Sequence, residues 1–135
     1  MTTRIHSCEC ACGAVQIRCK GAPVQTSLRY CFECQKRTGS VFSAQARFHQ
    51  SQVIIDGEVT GYKRISSDGE DVRYTFCPVC GTTLTLIASA FPDSVVIPVG
   101  LFNDKEFPAP TVSIYEERQH GWVAFECASE YINKI

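Results

Sequence analysis

Two CxxC pairs, Cys31/Cys34 and Cys77/Cys80, and a CxCxC run of Cys8, Cys10 and Cys12 all fall in the first 80 residues of this chain. Two thiolates at that spacing grip one ion, and a zinc ion normally wants four ligands. A fold that satisfies these thiols must therefore bring segments far apart in sequence into one place. With Cys19 and Cys127 the cysteines number nine. The opening MTTRIHSCEC turns polar and cysteine-rich at once, with no apolar run of the secretory kind. The expected compartment is the cytoplasm, where thiols stay reduced. An odd cysteine count in that setting argues for metal ligands over a disulfide framework; the blander reading makes several of them small buried hydrophobes.

A chain of 135 residues is expected to form one domain, spanning 1–135. Hydrophobic content of 44% with 20% charged residues belongs to globular proteins. The net charge is −1 and Lys/Arg are scattered, so the basic stripe that nucleic acid requires is absent. No segment reaches the roughly twenty apolar residues that cross a bilayer.

β-Branched residues dominate, and they favour strands. AVQIRC (14–19) alternates inward Val15, Ile17 and Cys19 with polar neighbours. Further strands are expected at 43–48, 52–56, 60–65, 71–76, 83–88 and 94–100, with Pro98 pushing the last towards a sheet edge or a bulge. The turn at 66–69 leaves Asp68, Glu70 and Asp71 as a solvated rim. ECQKRTGS offers a short helical turn ended by Gly39, residues 123–132 a last helix or strand, and DKEFPAP (104–110) a surface loop. Trp122 and Cys127 are expected in the core. The fold class is mostly β: a sandwich or folded sheet with short helical turns.

Among the thiols, FCPVCGTTL (76–84) is the strongest signal. Gly81 lets the chain curl so that backbone N–H groups face sulfur, as in a zinc knuckle. Pairing is open on spacing alone. Cys31/Cys34 with Cys77/Cys80 would make a plain zinc ribbon, and either Cys8/Cys10 or Cys10/Cys12 can chelate from a tight turn.

CACGAV (10–15), YCFECQKRTGS (30–40), FCPVCGTTL and the closing TVSIYEERQHGWVAF (111–125) together resemble the glutathione-dependent formaldehyde-activating enzyme family, which includes centromere protein V. The resemblance implies an Mss4-like fold. It also implies one structural zinc held by Cys10, Cys12, Cys77 and Cys80, with Gly13-Ala14-Val15 following Cys12 as the motif requires. The family's second zinc is carried by a CxCxxC run, whose last two positions fall on Cys31 and Cys34. The first falls on Arg29, which has no lone pair to offer a metal. Cys8, spare once the first site is filled, is the candidate extra ligand, ahead of the three histidines.

Arg29 either faces solvent beside a decayed site or charges a pocket, where it would favour thiolates and contact an anion such as glutathione. Two functions follow. In one, the chain is a carbon–sulfur lyase that promotes S-hydroxymethylglutathione formation, with Cys31 and Cys34 as open-site zinc ligands or reactive thiols. In the other, it is a non-catalytic zinc-stabilised module with a degenerate second site. The expected partners are a small thiol or its aldehyde adduct, with a homodimer as the general prior for a chain of this size.

Overall fold

Alternation of inward and outward residues builds the first hairpin. β1 (Ile5–Glu9) buries His6 and Cys8, β2 (Gln16–Lys20) buries Ile17 and Cys19, and the side chains between them stay exposed. The structure is a computed structural model that describes residues 4–66, 68–127 and 130–132. The chain continues through β3 (Gln25–Arg29), the helix α1 (Phe32–Thr38), β4 (Ser43–His49), β5 (Val53–Asp56) and β6 (Thr60–Ile65). It ends with β7 (Asp71–Phe76), β8 (Thr83–Ala88), β9 (Ser94–Pro98), β10 (Val112–Ile114) and β11 (Glu130–Ile132). The architecture is mostly β with short helices.

The strands form two sheets: β1-β2-β5, and an eight-stranded sheet in the order β11-β10-β3-β4-β9-β8-β7-β6. Pairing is antiparallel except where β10 lies parallel to β3 and to β11. The main core joins the two sheets. Cys8, Ile17 and Cys19 from the small sheet, with Val15 just before β2, meet Ala46, Phe48, Leu84, Val95 and Ile97 from the large one. Phe102 and Phe107 stack at 4.6 Å at one side, with His6 edge-on to both.

The large sheet uses its two faces differently. In β4, Ala46 and Phe48 enter the core while Gln45 and Arg47 point to the opposite face; in β9, Val95 and Ile97 enter the core while Ser94 and Val96 face away. That opposite face carries a cavity. α1 lies beside it and stops where Gly39 turns left-handed (φ 74°), its N–H donating to the Gln35 carbonyl at 2.7 Å. Only glycine adopts that conformation without cost.

Several expectations are corrected here. β9 is an interior strand between β4 and β8, and Pro98 is tolerated because it closes the strand. Phe107, in the proline-rich loop, is buried in the aromatic cluster. Trp122 is 75% exposed, edge-on to His120 in a turn. Cys127 is half-buried, outside the core cluster. Of the closing stretch 123–132, residues 128 and 129 lie outside the described residues, and β11 follows them.

Candidate metal centre and thiol cavity

Two tight turns, at the end of β1 and between β7 and β8, form matching knuckles. In the first, Gly13 (φ 81°) donates its N–H to the Cys10 carbonyl at 3.0 Å; in the second, Gly81 (φ 77°) donates to the Cys77 carbonyl at 2.9 Å. The Ala11 N–H reaches Thr82 Oγ1 at 3.1 Å and ties one knuckle to the other. As a result the sulfurs of Cys10, Cys12, Cys77 and Cys80 all lie within 4.8 Å of one another. Cys10 and Cys12 are 3.6 Å apart, Cys12 and Cys77 3.7 Å. A tetrahedron with metal–sulfur bonds of about 2.3 Å has edges of about 3.8 Å, so the donor set fits zinc and leaves no open position.

The surroundings favour thiolates. The Val15 N–H points at Cys10 Sγ (3.3 Å), the Val79 N–H at Cys77 Sγ (3.4 Å), and the Thr82 hydroxyl lies 3.2 Å from Cys80 Sγ. Thr82, through its hydroxyl and then its backbone, draws the Cys80 thiol down to about 5. Cys12 is pushed up to about 12: the Ala14 N–H pulls it down, but Cys10, burial, Cys80 and Cys77 outweigh it. Four sulfurs this close cannot all ionise unaided, and a divalent cation is the charge that reverses the penalty.

Cys31 and Cys34 lie elsewhere, on the wall of a cavity of about 420 Å³ against the other face of the large sheet. Cys31 is the residue just before α1 and Cys34 sits one turn inside it, so both thiols share one side of the helix start. Arg29, Arg47, Arg64 and Arg118 line the same cavity. Cys34 is lowered to about 6, first by a hydrogen bond from Cys31 and, against the opposing cost of burial, by the charges of Arg29, Arg37 and Arg64. Cys31 is driven far up by the same hydrogen bond and by burial, so it stays a thiol. Arg29 does not face bulk solvent. Its Nε is buried; burial opposes its charge, while Cys34 and Cys31 support it.

The second pair offers two thiols and no third donor grouped with them among the described residues. Among the described residues, no group of three or more cysteine, histidine or acidic side chains gathers there; the four-cysteine cluster is the one such group. Cys8 is in the core between the sheets, with burial and Cys19 pushing its thiol up to about 12, and it does not line the cavity. His6 lies in the aromatic cluster, His49 caps a 3-10 turn through Ser51, and His120 rests on Trp122.

Sequence reasoning missed Arg47, Arg64 and Arg118, and it missed that the solvated rim of Asp68 and Glu70 borders the cavity. Asp68 is exposed, as expected of a rim, and its carboxylate accepts the Tyr115 hydroxyl at 3.0 Å, while half-buried Glu70 accepts from Ser89. The polar half of the alternation in 43–48 was legible; that its face is walled in by Ser66, Asp68 and Glu70 and by Tyr115 and Arg118 was not.

These features define a β domain with a closed four-cysteine knuckle pair on one side and an arginine-lined thiol cavity on the other. The family model described as glutathione-dependent formaldehyde-activating enzyme matches residues 5–118, and the chain belongs to that family. No curated protein matches the sequence significantly. Among solved structures, a crystal structure of a Rhodobacter sphaeroides protein, a structural-genomics target, is similar with a TM-score of 0.56 and 19% identity. The match covers 70% of this chain and 85% of that one, and it speaks to fold alone. Among the described residues no helix is long and apolar enough to cross a membrane.

Proposed function

We propose that Cys10, Cys12, Cys77 and Cys80 hold a structural zinc, and that the cavity carries carbon–sulfur lyase chemistry on adducts of glutathione with formaldehyde or other small aldehydes. One observation carries the reading: Cys31 and Cys34 line the same cavity as four arginines, within the stretch that matches the family. The zinc, when bound, cross-links and does no chemistry, since four thiolates fill its tetrahedron. The same reading places the domain in the Mss4-like class and in the cytoplasm, acting on a small thiol.

In the cavity the chain's own groups act. Cys34, as thiolate, takes the proton of the glutathione thiol while that sulfur adds to the aldehyde carbon. The proton then passes to the new alkoxide, so thiol plus aldehyde give the hydroxymethyl thioether and Cys34 is restored. Cys31 donates to Cys34 and steadies its charge. Arg29 receives a carboxylate of glutathione, which its planar fork suits. The lyase direction is the reverse of these steps.

The test is the rate of adduct formation and breakdown, with zinc-replete protein, glutathione and a panel of aldehydes. The expected result is acceleration over the uncatalysed reaction, reduced at least about 100-fold in Cys34→Ser, the usual scale of a lost general base. A second reading is favoured by Arg29, whose guanidinium cannot ligate: a non-catalytic zinc-stabilised binding module with a degenerate second metal site. Saturable glutathione binding with no change in rate would establish that reading and sink the lyase.

A further inference from the structure

Arg29 and Arg47 stand on the same face of the β3–β4 ladder. Arg29 is opposite Ser43, Arg47 is opposite Gln25, and the Ser27–Gln45 pair lies between them. Both side chains line the cavity, and in both the Nε atom is buried without a hydrogen-bond partner. Neither forms an ion pair among the described residues: Asp68 is engaged by Tyr115, Glu70 by Ser89, and Glu33 by Lys36. Arg47 has only the ring of Phe91 beneath its guanidinium, at 5.2 Å. Both residues are half-buried, and Cys34 already offsets part of the Arg29 charge, yet each Nε is a buried donor left unfilled, which an anion lying between the two guanidiniums would satisfy.

Gln45 fixes where that anion would sit. Its amide donates to Ser43 Oγ at 3.1 Å and reaches Cys34 Sγ at 3.9 Å, so the space between the two guanidiniums opens directly beside the thiol pair. A metal ion in that space would meet two cations. An oxyanion meets two forks.

We infer that Arg29 and Arg47 form an oxyanion seat in the cavity floor, which takes the carboxylate or phosphate group of a small ligand and aims the rest of it at Cys31 and Cys34. The inference deepens the proposed function, since it makes an anionic head group the feature by which this cavity selects its substrate. It also assigns Arg47, as a partner of Arg29, to binding. The seat makes its contacts by charge and geometry alone, so it works whether or not adduct chemistry follows.

Calorimetric titration at low ionic strength, with inorganic phosphate in one arm and succinate in the other, tests the seat. The expected result is saturable one-to-one binding of at least one of them, weakened tenfold or more in Arg29→Gln and again in Arg47→Gln. Whichever arm binds more tightly identifies the head group as phosphate or carboxylate. Each variant removes a side chain whose buried Nε has no partner, so the fold is expected to survive, and added anion should raise the melting midpoint of the wild type more than that of either variant. Arg47→Lys, which keeps the charge and loses the fork, should fall between wild type and Arg47→Gln. Absence of binding by both anions in the wild type would overturn the seat, as would binding in the two Gln variants as strong as in the wild type. Because no aldehyde is present, a failed adduct assay leaves this result standing, and a failed titration leaves the adduct assay to be decided by Cys34→Ser.

Discussion

At the scale of single residues, the cavity is governed by one shared proton. Cys31 holds it and Cys34 does not, because a buried pair of thiols ionises once easily and a second time only at great cost. The ordinary thiol value is about 9, and Cys34 stands near 6. An acid whose folded value is depressed contributes stability that is fully present above its unfolded value and is lost as pH falls through the folded one. The contribution of Cys34 should therefore grow from about pH 6 to about pH 9. Above that, Cys31 works in the opposite direction: the unfolded chain ionises it and the folded chain does not. The expected outcome is a difference in unfolding free energy between wild type and Cys34→Ser that rises between these pH values and then stops rising. Denaturant unfolding across the range measures it, with ultraviolet thiolate absorbance following the ionisation directly. A flat difference would show that Cys34 is an ordinary core thiol.

At the scale of elements, what the sequence discloses depends on whether a partner is local. The strands at 43–48, 52–56, 60–65, 71–76 and 83–88 are legible because each alternates or masses β-branched residues between turn signals, and β4 to β8 occupy those places. β3, QTSLR, is not legible: its polar residues look like a loop, and it becomes a strand because β4 and β10 pair with it on both sides. The knuckles are legible through Gly13 and Gly81. The cavity is not, because it is made by the tip of the β6–β7 hairpin reaching residues 115–118, a contact between positions 47 apart. Tyr115 adopts a left-handed backbone (φ 63°), rare for an aromatic residue, and its buried hydroxyl donates to Asp68 across the cavity wall. Tyr115→Phe deletes that bond and leaves the ring under Arg118, at 4.3 Å. A loss of about 1 kcal/mol is expected, with faster amide exchange confined to residues 66–70 and 115–118. Protection lost evenly over the whole large sheet would mean that the contact is part of the global core and not a strap over the cavity.

At the scale of the whole molecule, the question is what fastens the small sheet to the large one. The hydrophobic core does part of it through Ile17, Phe48, Leu84 and Ile97. The four cysteines do the rest, since Cys12 and Cys77 are separated by 65 residues yet lie 3.7 Å apart. A metal at that point closes a long loop, and it binds only the folded chain, so its binding free energy becomes folding free energy. If free zinc exceeds its dissociation constant a thousandfold, the stabilisation is about 4 kcal/mol, which for a domain of this size is roughly 10–20 °C in melting temperature. Metal analysis of the folded protein should find one zinc per chain. Stripping it should lower the midpoint by that amount, and zinc should restore it. Cys80→Ser should abolish both the metal and the zinc-dependent shift. The double variant Cys31→Ser/Cys34→Ser should keep both, because its thiols are on the other face of the large sheet and lack a third ligand. Loss of zinc from that double variant would show that the metal sits in the cavity, and a melting temperature indifferent to chelation would show that the knuckles are held by hydrogen bonds and packing alone.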